Sequence, residues 1–242
     1  MRFPDGEVTW NPRSWSGVLG EIWYLDFYPY LDTHVRPEEL RGSRVLEVGL
    51  GYGTVAERLA RCGADYMGLD VSPGPVDMVR HRLAQSSLRG QAVLGSILKP
   101  PFEPESFDAI VAIGCLHHTG DLHTAIAQCR QLLKPGGRLT FMVYYAYSYR
   151  QSIRNRHAFM EYAIAEASGY RGVLGGEASG LRAAYDKHES GEAAPHTDFI
   201  SRTSLKAFCG GFAKLEMRTE NIDQEPPFAD SAGCWPRRVI AQ

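Results

Sequence analysis

The sequence lacks the features that mark secreted, membrane and zinc-binding proteins. Its five cysteines include no CxxC pair, and their odd number leaves one outside any pairing. We therefore expect a reduced, cytoplasmic chain without a metal site. No apolar run is long enough to span a bilayer, and the N-terminal stretch MRFPDGEVTWNPRSW has no apolar core of signal-peptide length. We expect no membrane association.

A surplus of positive charge is missing as well. The chain carries 26 Lys and Arg against 28 Asp and Glu, which gives a formal net charge of -2. Proteins that bind nucleic acids usually carry a basic surplus, so we expect no nucleic-acid partner. The hydrophobic share of 44% and the charged share of 22% are typical of a globular domain and argue against disorder.

Patterns typical of strands and helices alternate from Arg44 to Tyr145. Five apolar runs predict strands, at 44–48, 66–69, 92–94, 108–113 and 138–145. Strands that alternate with helices indicate an α/β fold with a parallel, doubly wound sheet. Two more strands are predicted near the end of the chain, in AKLEMRTENI and WPRRVIAQ, as an antiparallel pair.

The rhythm of the pattern divides the chain into four segments. Residues 1–43 form an N-terminal arm rich in tryptophan and tyrosine, which we expect to act as a lid, and residues 44–145 form the core. Residues 146–195 are far longer than an ordinary connection, and we interpret them as a helical insertion after the fifth strand. Residues 196–242 return to the sheet.

A glycine loop follows the first predicted strand, in VLEVGLGYGT. Such a loop brings a ligand close to backbone N–H groups and to a helix N-terminus. Nicotinamide-binding proteins space these glycines as GxGxxG, whereas here they are Gly49, Gly51 and Gly53, with the third one place early. Asp70 ends the second strand, where a carboxylate can accept both hydroxyls of a ribose. NAD and S-adenosylmethionine both contain that ribose.

Three motifs together resemble those of class I S-adenosylmethionine-dependent methyltransferases. They are the acid-preceded GxGxG of RVLEVGLGYGT, the GLDVS around Asp70, and LHHTGD followed by LLKPGGRL. The resemblance covers residues 44–145. It implies a Rossmann-like sheet of seven strands, six parallel and one antiparallel, flanked by helices. It also implies S-adenosyl-L-methionine as the cofactor and S-adenosyl-L-homocysteine as its product.

The resemblance assigns cofactor contacts residue by residue. It implies that the loop backbone faces the methionine part, that Asp70 holds the ribose, and that Val71 lies beside the adenine. Ser96 stands where the family usually has an acid for the adenine amine, so the backbone N–H of Ile97 is an alternative. The predicted cofactor-binding residues are Glu47, Gly49, Leu50, Gly51, Gly53, Asp70, Val71, Ser96, Ile97, Ile113 and Gly114.

Histidines and arginines supply the candidate catalytic and substrate-binding groups. His117 and His118 follow the fourth strand, and either could accept a proton near neutral pH. We favour His118, and packing is the alternative for both. Arginines in the insertion could clamp a carboxylate or phosphate, or could simply be solvated. The predicted substrate-binding residues are Tyr28, Tyr145, Arg150, Arg154 and His196.

The sequence thus predicts a methyltransferase for a small metabolite, with the methylated atom (oxygen, nitrogen or carbon) left open. Two alternatives remain at this stage. One is an NAD(P)-dependent Rossmann oxidoreductase, which the glycine spacing disfavours. The other is a regulatory protein that binds S-adenosylmethionine without turnover. A homodimer is the oligomeric state considered.

Overall fold

The computed structural model describes residues 31–175, 196–219 and 238–241, apart from the side chains of Arg150, Arg154 and 238–241. Within these residues nine strands form one sheet. The strands are β1 Arg44–Val48, β2 Asp65–Asp70, β3 Gln91–Leu94, β4 Phe107–Ile113, β5 Leu133–Tyr145, β6 Leu174–Gly175, β7 Asp198–Ile200, β8 Met217–Arg218 and β9 Arg238–Ala241. Tyr28 and the other N-terminal aromatic residues that we expected in a lid lie outside the described residues.

Seven helices of the described chain connect or flank these strands. They are α1 Leu31–Val35, α2 Thr54–Arg61, α3 Pro73–Gln85, α4 Leu122–Leu132, α5 Tyr149–Arg154, α6 Arg156–Ala167 and α7 Arg202–Phe208. Short polar side chains start several of them. Asp121, Ser148 and Ser201 each accept a hydrogen bond from a backbone N–H in the first turn of α4, α5 and α7. These caps fix where the chain turns away from the sheet.

Seven of the strands form the sheet that the sequence predicted. Their order is β3-β2-β1-β4-β5-β9-β8, in which β9 runs antiparallel to its neighbours and the other six strands are parallel. The predicted α/β fold and the predicted antiparallel pair at the end of the chain are confirmed. The carboxyl ends of β1 to β5 therefore meet at one edge of the sheet, where parallel α/β sheets bind ligands.

Two short strands, β6 and β7, were not predicted. The long strand β5 pairs with β9 through Phe141 to Tyr144, and at its end Tyr144 and Tyr145 pair with β7 in parallel. β6, which belongs to the insertion, then pairs antiparallel with β7. The described part of the insertion thus contains helices α5 and α6 and, through β6, joins the sheet at its carboxyl edge.

Two strands of the described chain begin more than one residue away from their predicted starts. β5 begins at Leu133 rather than at Arg138, because the KPGG stretch forms a bulge: Leu133 lies opposite Phe107, and Arg138 lies opposite Ala109. Gly136 permits this bulge with a φ of 79°. Within residues 196–219, β8 pairs with β9 only at Met217 and Arg218, so it begins later than the predicted stretch AKLEMRTENI, whose last residues lie outside the described chain.

Apolar side chains cover both faces of the sheet. One cluster joins β4 and β5 to α4 and α7, and includes Ile110, Phe141 and Leu205. The second joins β1 to α1, α2 and α3. Leu31 and Val35, in the segment that we expected to be an arm, pack into this second cluster. None of the described helices is both long and apolar enough to cross a membrane.

Candidate functional site

The glycine loop connects β1 to α2, and all three of its glycines have positive φ angles, of 76°, 49° and 77°. A Cβ on Gly49 would stand 2.3 Å from the Cβ of Cys115, and one on Gly53 would stand 3.0 Å from Val79. These two glycines let the loop pack against the end of β4 and against α3. A Cβ on Gly51 would meet nothing within 4 Å. The middle of the loop is therefore open to a ligand.

Asp70 lies beside this loop at the end of β2. Its Oδ2 accepts a hydrogen bond from the backbone N–H of Leu50, and its Oδ1 accepts one from that of Ser72, both at 2.8 Å. Ser72 is the N-cap residue of α3, but its side chain makes no capping bond, in contrast to the usual role of a serine there. Each carboxylate oxygen keeps a further lone pair. Asp70 can therefore accept ribose hydroxyls as well.

Exposed apolar side chains surround Asp70. Val71 is 68% exposed, and Leu94, the register partner of Asp70 on β3, is 57% exposed. Tyr52, in the glycine loop, is 60% exposed. The adenosine part of S-adenosylmethionine fits this surface: the glycine loop is open, Asp70 can accept two hydroxyls, and the apolar side chains are exposed to solvent. Sequence reasoning missed Leu94 and Tyr52, although the end of each parallel strand is a place to search.

The residues directly after β3 form a turn, and Ser96 makes its hydrogen bonds within that turn. The hydroxyl of Ser96 accepts a hydrogen bond from the backbone N–H of Leu98 at 3.2 Å. The side chain of Ile97 is buried in the core, so only its backbone could face a ligand. At the end of β4, Ile113 is half-buried, and Gly114 has a φ of 74° and donates its N–H to the carbonyl of Met142.

Glu47 is a buried carboxyl group on β1, 3% exposed, one strand away from Asp70. It accepts a hydrogen bond of 2.6 Å from the hydroxyl of Tyr66. Gly68 leaves room for this contact, because a Cβ there would stand 2.7 Å from that hydroxyl. Burial raises the pKa of Glu47 to about 8; the Tyr66 bond acts against the shift and the charge of Asp70 adds to it. Tyr66 is a partner that the sequence did not reveal.

The two candidate histidines lie in a 3-10 turn, Leu116–His118, directly after β4. His117 is fully buried, with its ring centroid 4.0 Å from that of His118 and 4.2 Å from that of Tyr144. The Nδ1 atom of His118 lies 2.8 Å from the carbonyl oxygen of His196. A carbonyl oxygen only accepts hydrogen bonds, so Nδ1 carries the proton and Nε2 is the acceptor in the neutral ring.

Two more polar residues lie beside the histidines: His196, just before β7, and Asp198, the first residue of β7. The Nε2 atom of His196 lies 2.8 Å from Oδ1 of Asp198. Asp198 is buried, and burial raises its pKa although the bond to His196 lowers it. The structure thus brings His117, His118 and His196 together. Asp198 was missed because nothing in the sequence shows that residues 196–198 meet the turn after β4.

The insertion is anchored beside these histidines by tyrosine hydroxyls. Tyr147 donates a hydrogen bond of 2.6 Å to Glu166 on α6, and Ser201 donates to the same carboxylate. Tyr162, also on α6, lies with its hydroxyl 2.9 Å from the carbonyl of Gly172. Tyr145 is half-buried, and burial raises its pKa. The predicted substrate residues Arg150 and Arg154 lie on α5, and their side chains are outside the described structure.

A cavity of about 590 Å³ opens at the opposite edge of the sheet, at the amino ends of β4 and β5. Four of its cations are already paired: Lys134 contacts Asp108 at 2.8 Å, Arg138 and Arg36 contact Glu39 at 3.0 and 3.3 Å, and Lys214 contacts Glu216. It includes neither the glycine loop nor the histidines. Among the described residues, no group of three or more His, Cys, Asp or Glu side chains could hold a metal ion.

Comparison with known proteins shows which proteins this chain resembles. Residues 46–141 match the family model described as a methyltransferase domain. The chain is 37% identical over 111 residues to a ubiquinone biosynthesis O-methyltransferase of Xanthomonas euvesicatoria, covering 46% of this chain and 45% of that protein. It is 30% identical over 141 residues to the protein of that name from Stutzerimonas stutzeri, covering 58% and 56%.

The chain spans about half the length of the curated relatives it matches. A solved structure is similar over more of the chain: an S-adenosylmethionine dependent methyltransferase from Mesorhizobium loti, with a TM-score of 0.62 and 18% identity over 90% of this chain and 98% of that one. This likeness supports the fold alone. Residues 46–141 thus match a methyltransferase domain, the class of protein that the three sequence motifs resemble.

Proposed function

We propose that the protein is an S-adenosylmethionine-dependent methyltransferase that acts on a small molecule, with oxygen as the favoured methyl acceptor. One observation carries the proposal: the glycine loop, Asp70 and His118 lie at the same edge of the sheet, at the carboxyl ends of its parallel strands. The curated relatives are named O-methyltransferases, which supports oxygen over nitrogen or carbon.

The residues around Asp70 would hold the cofactor. Asp70 would accept its ribose hydroxyls, the open backbone at Gly51 would face its methionine part, and Val71 and Leu94 would pack against its adenine. Glu47 lies deeper, and a cation nearby would favour its ionised form. When bound, the cofactor supplies a methyl group on a sulfonium, which is already activated towards displacement. The protein mainly has to align the acceptor with it.

A hydroxyl acceptor also has to lose its proton, and His118 would take it. The hydrogen bond from Nδ1 to the carbonyl of His196 fixes Nε2 as the acceptor atom of the neutral ring. General bases of this kind contribute roughly 10²- to 10⁴-fold to a rate. The ring of His117 packs against both His118 and Tyr144, which supports a positioning role for it.

The insertion would cover the acceptor. Its helices α5 and α6 follow directly after β5, and hydrogen bonds of Tyr147 and Ser201 to Glu166 hold α6 beside the site. A small substrate needs a mostly apolar cavity with few polar groups, which the tyrosines here can supply. The free thiols of Cys62, Cys115, Cys129 and Cys209 support a cytoplasmic location as part of the proposal.

The test combines calorimetry with an activity screen. Titration with S-adenosylmethionine, S-adenosylhomocysteine and NADH should show binding of the first two only. Transfer of a labelled methyl group should then be measured on matched panels of phenols, amines and carbon acids, with phenols expected to react. Binding of NADH at comparable affinity would reject the cofactor assignment. Cofactor binding without transfer to any panel would favour a regulatory protein over an enzyme.

A further inference from the structure

We propose that Asp198 and His196 are positioning residues, which together hold His118 in the tautomer that keeps Nε2 as the proton acceptor. The inference deepens the proposed function, because it concerns the residue that we assign as the general base. It does not need the substrate to be known, since the tautomer of a histidine is a property of the protein without ligand.

Two oxygen atoms lie within hydrogen-bonding distance of one nitrogen of His118. The carbonyl oxygen of His196 lies 2.8 Å from Nδ1 of His118, and the hydroxyl oxygen of Thr197 lies 3.3 Å from the same atom. Both atoms belong to consecutive residues just before the start of β7. The orientation of this short backbone stretch therefore decides where the proton of His118 resides.

A side-chain tether from His196 to Asp198 orients this stretch. The ring of His196 is bonded through Nε2 to Oδ1 of Asp198, two residues further along, at 2.8 Å. Asp198 is buried and lies on β7, which is itself paired with β5. The tether thus fixes the peptide group of His196 to a rigid strand, with its carbonyl directed at His118.

The insertion also lies against Asp198. Gly175 on β6 lies opposite Asp198 on β7, and a Cβ on Gly175 would stand 2.3 Å from Oδ1 of Asp198. Bare backbone at this position leaves Asp198 the room to face His196. Gly175 of the insertion therefore helps to shape the space around Asp198, the carboxylate that orients His118 through His196.

The test records histidine tautomers by nitrogen-15 NMR on the full chain, with the signals of His118 assigned by His118→Gln. The wild type should show Nδ1 protonated and Nε2 unprotonated. Asp198→Ala should produce a mixture of both tautomers. Asp198→Asn should restore the wild-type pattern in large part, because an amide oxygen can still accept from His196. Asp108→Ala, which removes an ion-paired carboxylate at the other end of the sheet, is the matched control.

Two further variants keep the test decisive if Asp198→Ala does not fold. His196→Ala removes a half-buried ring but retains the carbonyl, and Gly175→Ala crowds Asp198 without changing a polar group. Both should loosen the tautomer preference. An unchanged Nδ1-protonated pattern in folded Asp198→Ala, His196→Ala or Gly175→Ala would overturn the proposal, as would a wild type with Nε2 protonated.

Activity gives a second readout once an acceptor is found. Asp198→Ala should lower kcat about tenfold and alter its pH profile, while the Kd of S-adenosylhomocysteine stays the same. The titratable groups that lie beside His118 are His117, Tyr144 on β5, His196 and Asp198, and Asp121 lies near Asp198. A confirmed tautomer effect without any methyl transfer would reject the proposed function and leave the positioning role. Methyl transfer with an unchanged tautomer of His118 in the variants would support the proposed function and reject the positioning role.

Discussion

At the scale of single residues, Asp70 connects the backbone of the glycine loop to the end of β2 through two hydrogen bonds of 2.8 Å. The same carboxylate is our acceptor for the ribose of the cofactor. Its removal should therefore weaken cofactor binding more than folding, since the bond to Ser72 is exposed and the bond to Leu50 is only partly buried.

We expect Asp70→Ala to weaken S-adenosylhomocysteine binding at least tenfold. Hydrogen bonds to a charged group are worth roughly 1.5–3 kcal/mol each, and about 1.4 kcal/mol corresponds to a factor of ten in Kd. Isothermal titration calorimetry measures this directly, with circular dichroism as the check on folding. Asp77→Ala, an exposed acid on α3, is the control and should bind normally. An unchanged Kd for a folded Asp70→Ala would mean that the ribose lies elsewhere.

Gly51 can be compared with Gly42, because a side chain would have free space at both positions. Gly42 has a φ of 73°, and a Cβ on it, like one on Gly51, would meet no atom within 4 Å, but Gly42 lies before β1 at the other edge of the sheet. Valine at either position should cost about 1–2 kcal/mol of stability through left-handed backbone strain. We expect only Gly51→Val to abolish S-adenosylhomocysteine binding in calorimetry. If both variants bind equally well, Gly51 has a structural role alone.

The raised pKa of Glu47 predicts that the free energy of unfolding depends on pH. Its pKa is about 8 in the folded protein and 4.5 as the ordinary value. Between these values the folded state holds a proton that the unfolded state has released. The free energy of unfolding should therefore fall as pH rises through this window, by up to about 1.4 kcal/mol per pH unit, and the effect should be absent below pH 4.5 and complete above pH 8.

Urea unfolding of wild type and Glu47→Gln at pH 5, 6.5 and 8 measures this effect. The variant has no carboxyl group to ionise, so its stability should decline less over the series than that of the wild type. Glu161→Gln, an exposed position on α6, should follow the wild type. Parallel curves for Glu47→Gln and wild type would show that Glu47 ionises in the folded protein as easily as in the unfolded chain.

At the scale of elements, the hydroxyl of Tyr162 joins α6 to the start of α7. It lies 2.9 Å from the carbonyl of Gly172, 3.1 Å from the hydroxyl of Ser204, and accepts from the backbone N–H of Ser201 at 3.2 Å. We expect Tyr162→Phe to lower the free energy of unfolding by about 1–3 kcal/mol, because it leaves buried polar groups without this hydroxyl. Chemical denaturation measures the loss.

Tyr170→Phe is the matched control for this variant. Tyr170 is more exposed, and its hydroxyl bonds only to the carbonyl of Val173 among the described residues, at 3.1 Å. Its loss should change stability by less than about 0.5 kcal/mol. Equal effects of the two substitutions would argue against a special role for Tyr162 in docking α6.

The elements also show how far the sequence could be read. The strands β1 to β5 could be predicted from apolar runs and turn residues, which are local signals. Their parallel direction, which the structure confirms, could be predicted from the alternation of strands with helices. β6 and β7 could not be predicted, because two or three residues form a strand only when a partner is presented to them. The contact of His118 with His196 spans 78 positions, so no local pattern could reveal it. Asp198 stayed hidden for the same reason.

At the scale of the whole molecule, β9 connects the last described residues of the chain to the middle of the sheet. Val239 pairs with Val143 on β5. We expect Val239→Pro to reduce the free energy of unfolding by about 1–3 kcal/mol more than Val239→Ala, because proline removes a backbone donor from the ladder. Thermal unfolding followed by circular dichroism measures the difference. Equal midpoints for the two variants would show that this pairing adds little.

The shared edge of β5 has a consequence for the order in which the protein is made. Strands β1 to β5 and the glycine loop are synthesised first and depend largely on neighbours close in sequence. The edge of β5 that carries Tyr144 is covered only when residues 198–200 and then 238–241 have left the ribosome. During synthesis, the half that we assign to the cofactor can therefore fold early. The half that would select the acceptor takes shape last.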